Sequence, residues 1–301
     1  MDASCKIQRS IHDVRLTYKY VSRILGTYQN VSAFFFLRWV DQFLPLAFTG
    51  LFINIGLFAH LVIMWMGPLQ VKVQGLFVGA PYHDVPALIA FLTILVTTVN
   101  FVVSVEVNFY PKYRNYYSLF NDKGAIGDIK QAGKEMRKVL NMELKYTALK
   151  QLLTTALVIS VGGILLEYLP LGFNDLMEGY FRTLCVGYGL YAVANTMLLL
   201  LLYFTDYKGA LWSSGIFAAG TSVFTIISLF FPQVYYGFGF LAGCVAFFLF
   251  SVLRLDYYTK RLPYYILSVQ PVVQEDKTGI FTELGYFLEK KLEGRQELEK
   301  I

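Results

Sequence analysis

Residues Gly209–Leu253 read GALWSSGIFAAGTSVFTIISLFFPQVYYGFGFLAGCVAFFLFSVL, 45 consecutive positions without Asp, Glu, Lys, Arg or His. One crossing of a bilayer's hydrocarbon takes about 20 apolar residues. The run is therefore two spans, divided where Pro232-Gln233 meets Tyr235-Tyr236-Gly237. Upstream, the uncharged part of Thr183–Thr205 ends in Met197 and five leucines, and Asp206-Tyr207-Lys208 is the only polar break before Gly209. Helices apolar on every side belong in lipid or in a very large core. Over the whole chain, 16% of residues are charged and 56% hydrophobic, with mean hydropathy +0.50. Soluble domains carry about 25% charge, so composition agrees with the local reading.

Working outward, three further spans are expected near Phe43–Met66, Val85–Val105 and Leu149–Leu169, then three near Tyr180–Phe204, Gly209–Phe231 and Val234–Leu253. The fold class is all-α, a polytopic six-span transmembrane bundle. Residues 1–42 form a cytosolic arm and interfacial entry, 43–254 the membrane lobe, and 255–301 a cytosolic tail with a helix bearing Ile280, Leu284, Phe287 and Leu288. Between the second and third spans, 107–150 is a cytosolic connection. In it Ile126, Ile129, Met136, Val139 and Leu140 recur at helical spacing, with Lys130, Lys134 and Lys138 on another side. Gly67–Asp84 is expected to be a Gly- and Pro-rich loop. The N-terminal segment has no apolar h-region, so the first span directs insertion.

The bases decide orientation. Of 26 Lys and Arg, all but Lys72 and Arg182 fall in residues 1–42, 107–150, 205–208 or 254–301. The positive-inside rule then places both termini in the cytoplasm. Topology accounts for the net charge of +5 without a nucleic-acid partner.

No phosphate-binding loop, zinc motif or nucleophile elbow is present. Cys5, Cys185 and Cys244 form no ligand or disulfide pattern, and His12, His60 and His83 stand far apart in sequence. No catalytic residue, metal or cofactor is expected. Polar groups that a bilayer should exclude are the candidates instead: Asn54, His60, Asn100 and Asn195 for a substrate path, with Arg182 at its outer mouth. Glu106, Arg114 and Asp206 are candidates for a cytosolic gate or interface. Gly239 with Gly243, and Gly215 with Ala219, stand four apart, a spacing that lets helix backbones approach.

Several stretches together resemble the Pel exopolysaccharide transporter family (PelG), a branch similar to the MATE-like polysaccharide flippases. They are Phe34-Phe35-Phe36-Leu37-Arg38-Trp39, Tyr82-His83-Asp84-Val85-Pro86, Glu106 through Tyr117, Leu202–Lys208, Tyr236-Gly237-Phe238-Gly239, Leu255–Thr259 and Gln270-Pro271. Their order and spacing across 34–271 carry the likeness. It departs at Ala59-His60-Leu61, where the family tends to carry Asp-Lys. The resemblance implies one lobe, the C-terminal six spans, of a twelve-span flippase in a bacterial cytoplasmic membrane. The other six-span lobe would come from another chain, a second copy or upstream sequence. It also implies export of a hexosamine-rich polymer, with a cytosolic glycosyltransferase and a second-messenger-sensing membrane protein as partners. A non-transporting scaffold that docks the glycosyltransferase is the rival reading.

Overall fold

The computed structural model describes residues 36–75, 77–121, 124–168, 172–268 and 279–288. The expected arm through residue 35 and the tail at 269–278 and 289–301 lie outside them. The elements are α1 (Phe36–Trp65), β1 (Val71–Gln74), β2 (Phe77–Gly79), α2 (Pro81–Phe91), α3 (Ile94–Ser104), a π turn (Val105–Phe109), α4 (Tyr110–Asn121) and α5 (Ile126–Tyr168). There follow α6 (Asp175–Tyr203), α7 (Tyr207–Ser228), a 3₁₀ turn (Gln233–Tyr235), α8 (Tyr236–Lys260), α9 (Leu262–Ser268) and α10 (280–288). Among the described residues six helical stretches are long and apolar enough to cross a membrane, and the chain is a multi-pass membrane protein.

The chain divides into two units, 45–270 and 1–44 with 271–301. In the smaller unit, Asp41 caps α10. Its carboxylate accepts from the Thr282 amide at 2.7 Å, the Thr282 hydroxyl at 2.6 Å and the Phe281 amide at 3.3 Å. The Thr282 hydroxyl, followed by the amides at the helix start, holds this carboxyl below its ordinary range. Phe43 leaves helical geometry (φ −108°, ψ 16°) two residues before Pro45. A proline has no N–H to give and its ring crowds the carbonyl four residues back.

In the larger unit α6 is the hub. Its most apolar stretch is 78% buried, against 17–39% for the other five spans. Tyr180, Phe181, Leu184, Cys185, Tyr188 and Tyr191 are all buried along it. The closest helix pair is α7 with α8. A Cβ on Gly239 would lie 2.5 Å from the Thr225 Cα, and one on Gly243 would lie 2.6 Å from the Thr221 backbone nitrogen. The other small pair contributes less, because Ala219 is exposed and a Cβ on Gly215 would only reach ordinary contact with Phe52. Ser213 and Ser251 hydrogen-bond across the same interface at 2.5 Å.

The second span is segmented. The Thr93 hydroxyl donates to the Ala90 carbonyl at 2.7 Å, and the backbone there shifts to i−3 bonding. A hydroxyl that bonds back to the helical ladder favours a bend, and here it accompanies the change of pitch. Further on, Pro111 cannot donate to Val107, and the five-residue π turn absorbs the mismatch, with the Tyr110 amide reaching back to Val105.

Two expectations need correction. The 67–84 connection holds a β-hairpin, pairing Val71 with Gly79 and Lys72 with Val78, and then the start of α2 at Pro81. The amphipathic helix of the connection is not separate from the third span. Both belong to α5, a 43-residue rod that at 1.5 Å per residue is roughly 65 Å long. About 30 Å of that crosses hydrocarbon, and the rest pairs with α4 as a stalk. The helical periods on either side of Lys145 and Lys150 run on in phase, and neither Gly nor Pro interrupts them between 134 and 161.

Candidate functional site

The polar residues of the second and third spans meet in one line. Along α3 and the π turn, Thr97, Asn100, Ser104 and Asn108 recur every three to four residues. Along α5, Glu143, Thr147, Gln151 and Thr155 recur every four. Such spacings put each set on one helix face, and the antiparallel packing of the two helices turns the faces into a seam.

The seam is bonded rung by rung. At its apolar end the Thr97 hydroxyl donates to Gln151 Oε1, and Gln151 Nε2 donates to Thr155 Oγ1 at 3.1 Å. These three side chains and Thr147 are buried. One turn along, Asn100 Nδ2 donates to Thr147 Oγ1 at 3.3 Å, and Lys150 Nζ donates to Asn100 Oδ1 at 2.5 Å. Next, Ser104 donates to one oxygen of Glu143, and Asn108 to the other at 3.0 Å. Out on the stalk, Lys112 pairs with Glu135 at 3.1 Å. The π turn falls where Glu143 takes both bonds, so Ser104 and Asn108, four residues apart, converge on one carboxylate.

Gln151 and Thr155 also wall a groove of about 380 Å³ between α5 and α6, otherwise lined by Leu152, Ala156, Leu190, Val193 and similar apolar side chains. A Cβ on Gly189 would meet the Thr155 hydroxyl at 2.7 Å, so glycine there lets α6 lie against the seam. Chemically the seam offers amide, hydroxyl, carboxylate and ammonium groups in a row, the donors and acceptors that pair with sugar hydroxyls.

The other candidates are spread over the bundle. Asn54 is exposed on α1 and donates to its own Gly50 carbonyl at 2.8 Å. Asn195 is half-buried on α6. Arg182 is exposed and paired with Glu178 one turn back. Glu106 in the π turn and Arg114 on α4 are exposed. Asp206 is buried; it accepts from the Gly209 amide at 3.1 Å, starting α7, and from Arg254 Nε and Nη2 at 2.7 and 2.8 Å. It thereby ties α7 to α8. His60 is fully buried, with Nε2 3.2 Å from the Tyr188 hydroxyl and its ring 4.2 Å from Phe240 between centroids. His83 lies beside it.

Of the seam, only Asn100 stands among the sequence candidates. Thr97, Ser104, Asn108, Glu143, Thr147, Lys150, Gln151 and Thr155 were missed, although the four-residue polar spacing of 143–155 was a usable signal. Among the described residues no group of three His, Cys, Asp or Glu side chains could hold a metal ion.

No curated protein and no solved structure matches the chain. One family model does, over residues 14–267, under the description "Putative exopolysaccharide Exporter (EPS-E)". With the match covering every described span and the whole seam, the chain belongs to the PelG family of exopolysaccharide exporters.

Proposed function

We propose that this chain is the transport subunit that moves an exopolysaccharide across a bacterial cytoplasmic membrane, and that the α3–α5 seam faces the polymer's path. The seam is the observation that carries this reading. Lys150 is exposed and Asn100 half-exposed beside it, about one turn from the continuous apolar run of α5. Polar and charged groups at membrane depth belong on a cavity or a protein partner, because lipid contact costs about 2.5–3.5 kcal/mol for a charged side chain. A water-filled path, closed on its far side by a second six-span lobe, satisfies them. Two bundles moving around a shared site is also what alternating access requires. A hexosamine-rich polymer suits amide and hydroxyl rungs. Asn100 is the inner rung, and Asn54, Asn195 and His60 line the lobe's remaining polar positions. Arg182 stands at the outer mouth, and Glu106, Arg114 and Asp206 at the cytosolic end.

The test replaces Asn100 and Gln151 by Leu, singly and together, and measures secreted polymer in cells whose membranes hold the variant at wild-type level. Export should fall sharply in the double variant. Wild-type export from a well-inserted double variant refutes the path.

A second reading has its own support. Between the stalk and the end of α8, Lys134, Arg137, Lys138, Lys145 and Lys260 surround a cleft of about 500 Å³ whose one acid is Asp256. It opens beside an apolar cavity of about 580 Å³ under Phe120, Met136 and Leu262. This surface suits a scaffold that docks a cytosolic glycosyltransferase. Reversing Lys134 and Lys138 to Glu should then release the synthase from the membrane fraction, an outcome the seam variants do not produce.

A further inference from the structure

We propose that Asp84, His83, His60 and Tyr188 form a proton relay from one end of the bundle into its core, giving the lobe a proton-coupling site. The relay stands on its own geometry; only its use in driving export rests on the function proposed above.

Asp84 is at the entrance, in the first turn of α2, with 29% of its side chain exposed. One oxygen, Oδ2, is occupied by the Trp65 indole N–H and the Ala80 amide, both at 2.8 Å. The other, Oδ1, is buried without a partner and lies 4.0 Å from His83 Nδ1. A small side-chain rotation or one water closes that gap. His83 is fully buried and neither ring nitrogen has a partner. Its ring stands edge-on to that of His60, centroids 5.2 Å apart, too close for a layer of water between them. His60 Nδ1 makes no hydrogen bond of good geometry, its one weak backbone contact being to Leu57 on its own helix, while Nε2 meets the Tyr188 hydroxyl. A bare carboxylate oxygen, two bare His83 nitrogens and a weakly held His60 nitrogen thus occur on successive neighbouring groups.

Plain packing does not account for this. Buried polar atoms are nearly always hydrogen-bonded, and ionisable groups inside a span mark ion or proton pathways. The hand-offs balance. Protonated Asp84 gives its proton to His83 Nδ1 and becomes a carboxylate. His83 releases the proton on Nε2 to His60 Nδ1 and returns to neutral as the other tautomer. His60 becomes an imidazolium whose Nε2–H donates to the Tyr188 oxygen, and the Phe240 face against its ring favours that cation. Near the line these helices also carry Tyr82 on α2, Tyr180 and Cys185 on α6 and Tyr236 and Cys244 on α8, and the first two turns of α6 add Asp175 and the Glu178–Arg182 ion pair. Tyr180 stands edge-on to His83 at 5.7 Å. Glu178 is held by Arg182 one turn along its own helix, whereas Asp84 lies directly beside the His83 ring, so Asp84 is the acid that feeds the line.

The chain has three histidines, so full-length protein labelled at histidine nitrogen in lipid nanodiscs gives three sets of imidazole signals, assigned by single His→Asn variants. On transfer to heavy water, the His60 ring proton should exchange at least about tenfold more slowly in His83→Asn than in wild type. The same slowing is expected in Asp84→Asn, which keeps an oxygen for Trp65 and Ala80 and so preserves the fold if His83→Asn does not. Equal His60 exchange in wild type and Asp84→Asn means the proton enters by general opening of the bundle, and overturns the relay. So does a wild-type His60 proton that never exchanges. Polymer secretion from Asp84→Asn cells is read separately. Unchanged export beside slowed exchange keeps the relay and overturns its coupling to transport.

Discussion

Gly243→Ala adds one methyl group where α7 and α8 pack backbone against backbone. The new Cβ would stand 2.5 Å from the Thr221 Cγ2, 2.6 Å from its backbone nitrogen and 2.7 Å from its Cα. Ordinary carbon contacts lie at about 3.5–4.0 Å, so α7 and α8 must part by roughly 1 Å, opening the Ser213–Ser251 bond and the facing Gly239–Thr225 contact with it. Overpacking of this kind costs about 1–3 kcal/mol. For a chain of 301 residues that is a fall of about 2–5 °C in Tm. The assay is thermal unfolding of detergent-purified protein, with Gly50→Ala as the reference, since a Cβ there meets nothing within 4 Å. The double variant Gly243→Ala with Thr221→Ala separates side-chain crowding from backbone crowding. Two of the three near atoms are backbone, so trimming Thr221 should recover little. If Gly243→Ala unfolds with Gly50→Ala, or the double variant regains wild-type stability, the backbone-contact argument is refuted.

Arg254→Met leaves Asp206 a buried carboxylate without its bidentate partner, and breaking such a pair costs about 3–5 kcal/mol. The double variant Asp206→Asn with Arg254→Met removes both charges and should unfold closer to wild type in the same thermal assay. Asp41 sets a pH dependence at α10. Its carboxyl is held below the ordinary value in the folded state, so the stabilisation is complete above the unfolded carboxylate range and is lost as pH falls through the lowered value. Hydrogen exchange at the Thr282 amide should therefore be protected at neutral pH and lose protection in acid; protection that persists in Asp41→Ala disproves the cap. Gln151→Leu strips the partner from two buried hydroxyls, Thr97 and Thr155, and should destabilise the protein by about 1–3 kcal/mol, whereas Asn54→Leu, exposed and bonded only to its own helix, should be near neutral.

Much of the fold was legible because a membrane imposes a simple code. The uncharged run 209–253 could only be two spans, and Pro232 fixed the division, with the 3₁₀ turn at Gln233–Tyr235 directly after it. The polar triplet at 206–208 likewise marked the helix break, and Asp206 supplies the α7 cap. What was not legible was how helices continue beyond the lipid. Composition changes sharply near Lys150, and the change was read as a boundary between elements. The backbone ladder of α5 does not respond to composition, and it runs unbroken through Gly133 and past the Thr154 and Ser160 hydroxyls that bond back to it. Conversely, Thr93 and Pro111 interrupt a stretch that hydropathy alone reads as uniform.

The site was less legible, for a related reason. Single intramembrane amides attract attention because each is costly alone, so Asn54, Asn100 and Asn195 stood out while threonines and a glutamine beside lysines did not. Cost depends on partners rather than on residue type. Asn54 returns its donor to its own helix. Asn100 joins a seam whose other members are individually unremarkable polar residues, made collectively significant by a four-residue spacing on α5 that matches one on α3. His60 shows the same dependence in reverse. Read alone it is a solitary imidazole, but α2 folds back so that His83, 23 positions later, and the adjacent Asp84 share its surroundings. The hub position of α6 brings the two constellations into one bundle: its Tyr188 meets His60, while its Gly189, the next residue, lets Thr155 and Gln151 approach. A shift of α6 along its axis would therefore alter the histidine line and the seam together, which is the physical requirement for a proton moving in one to change the shape of the other.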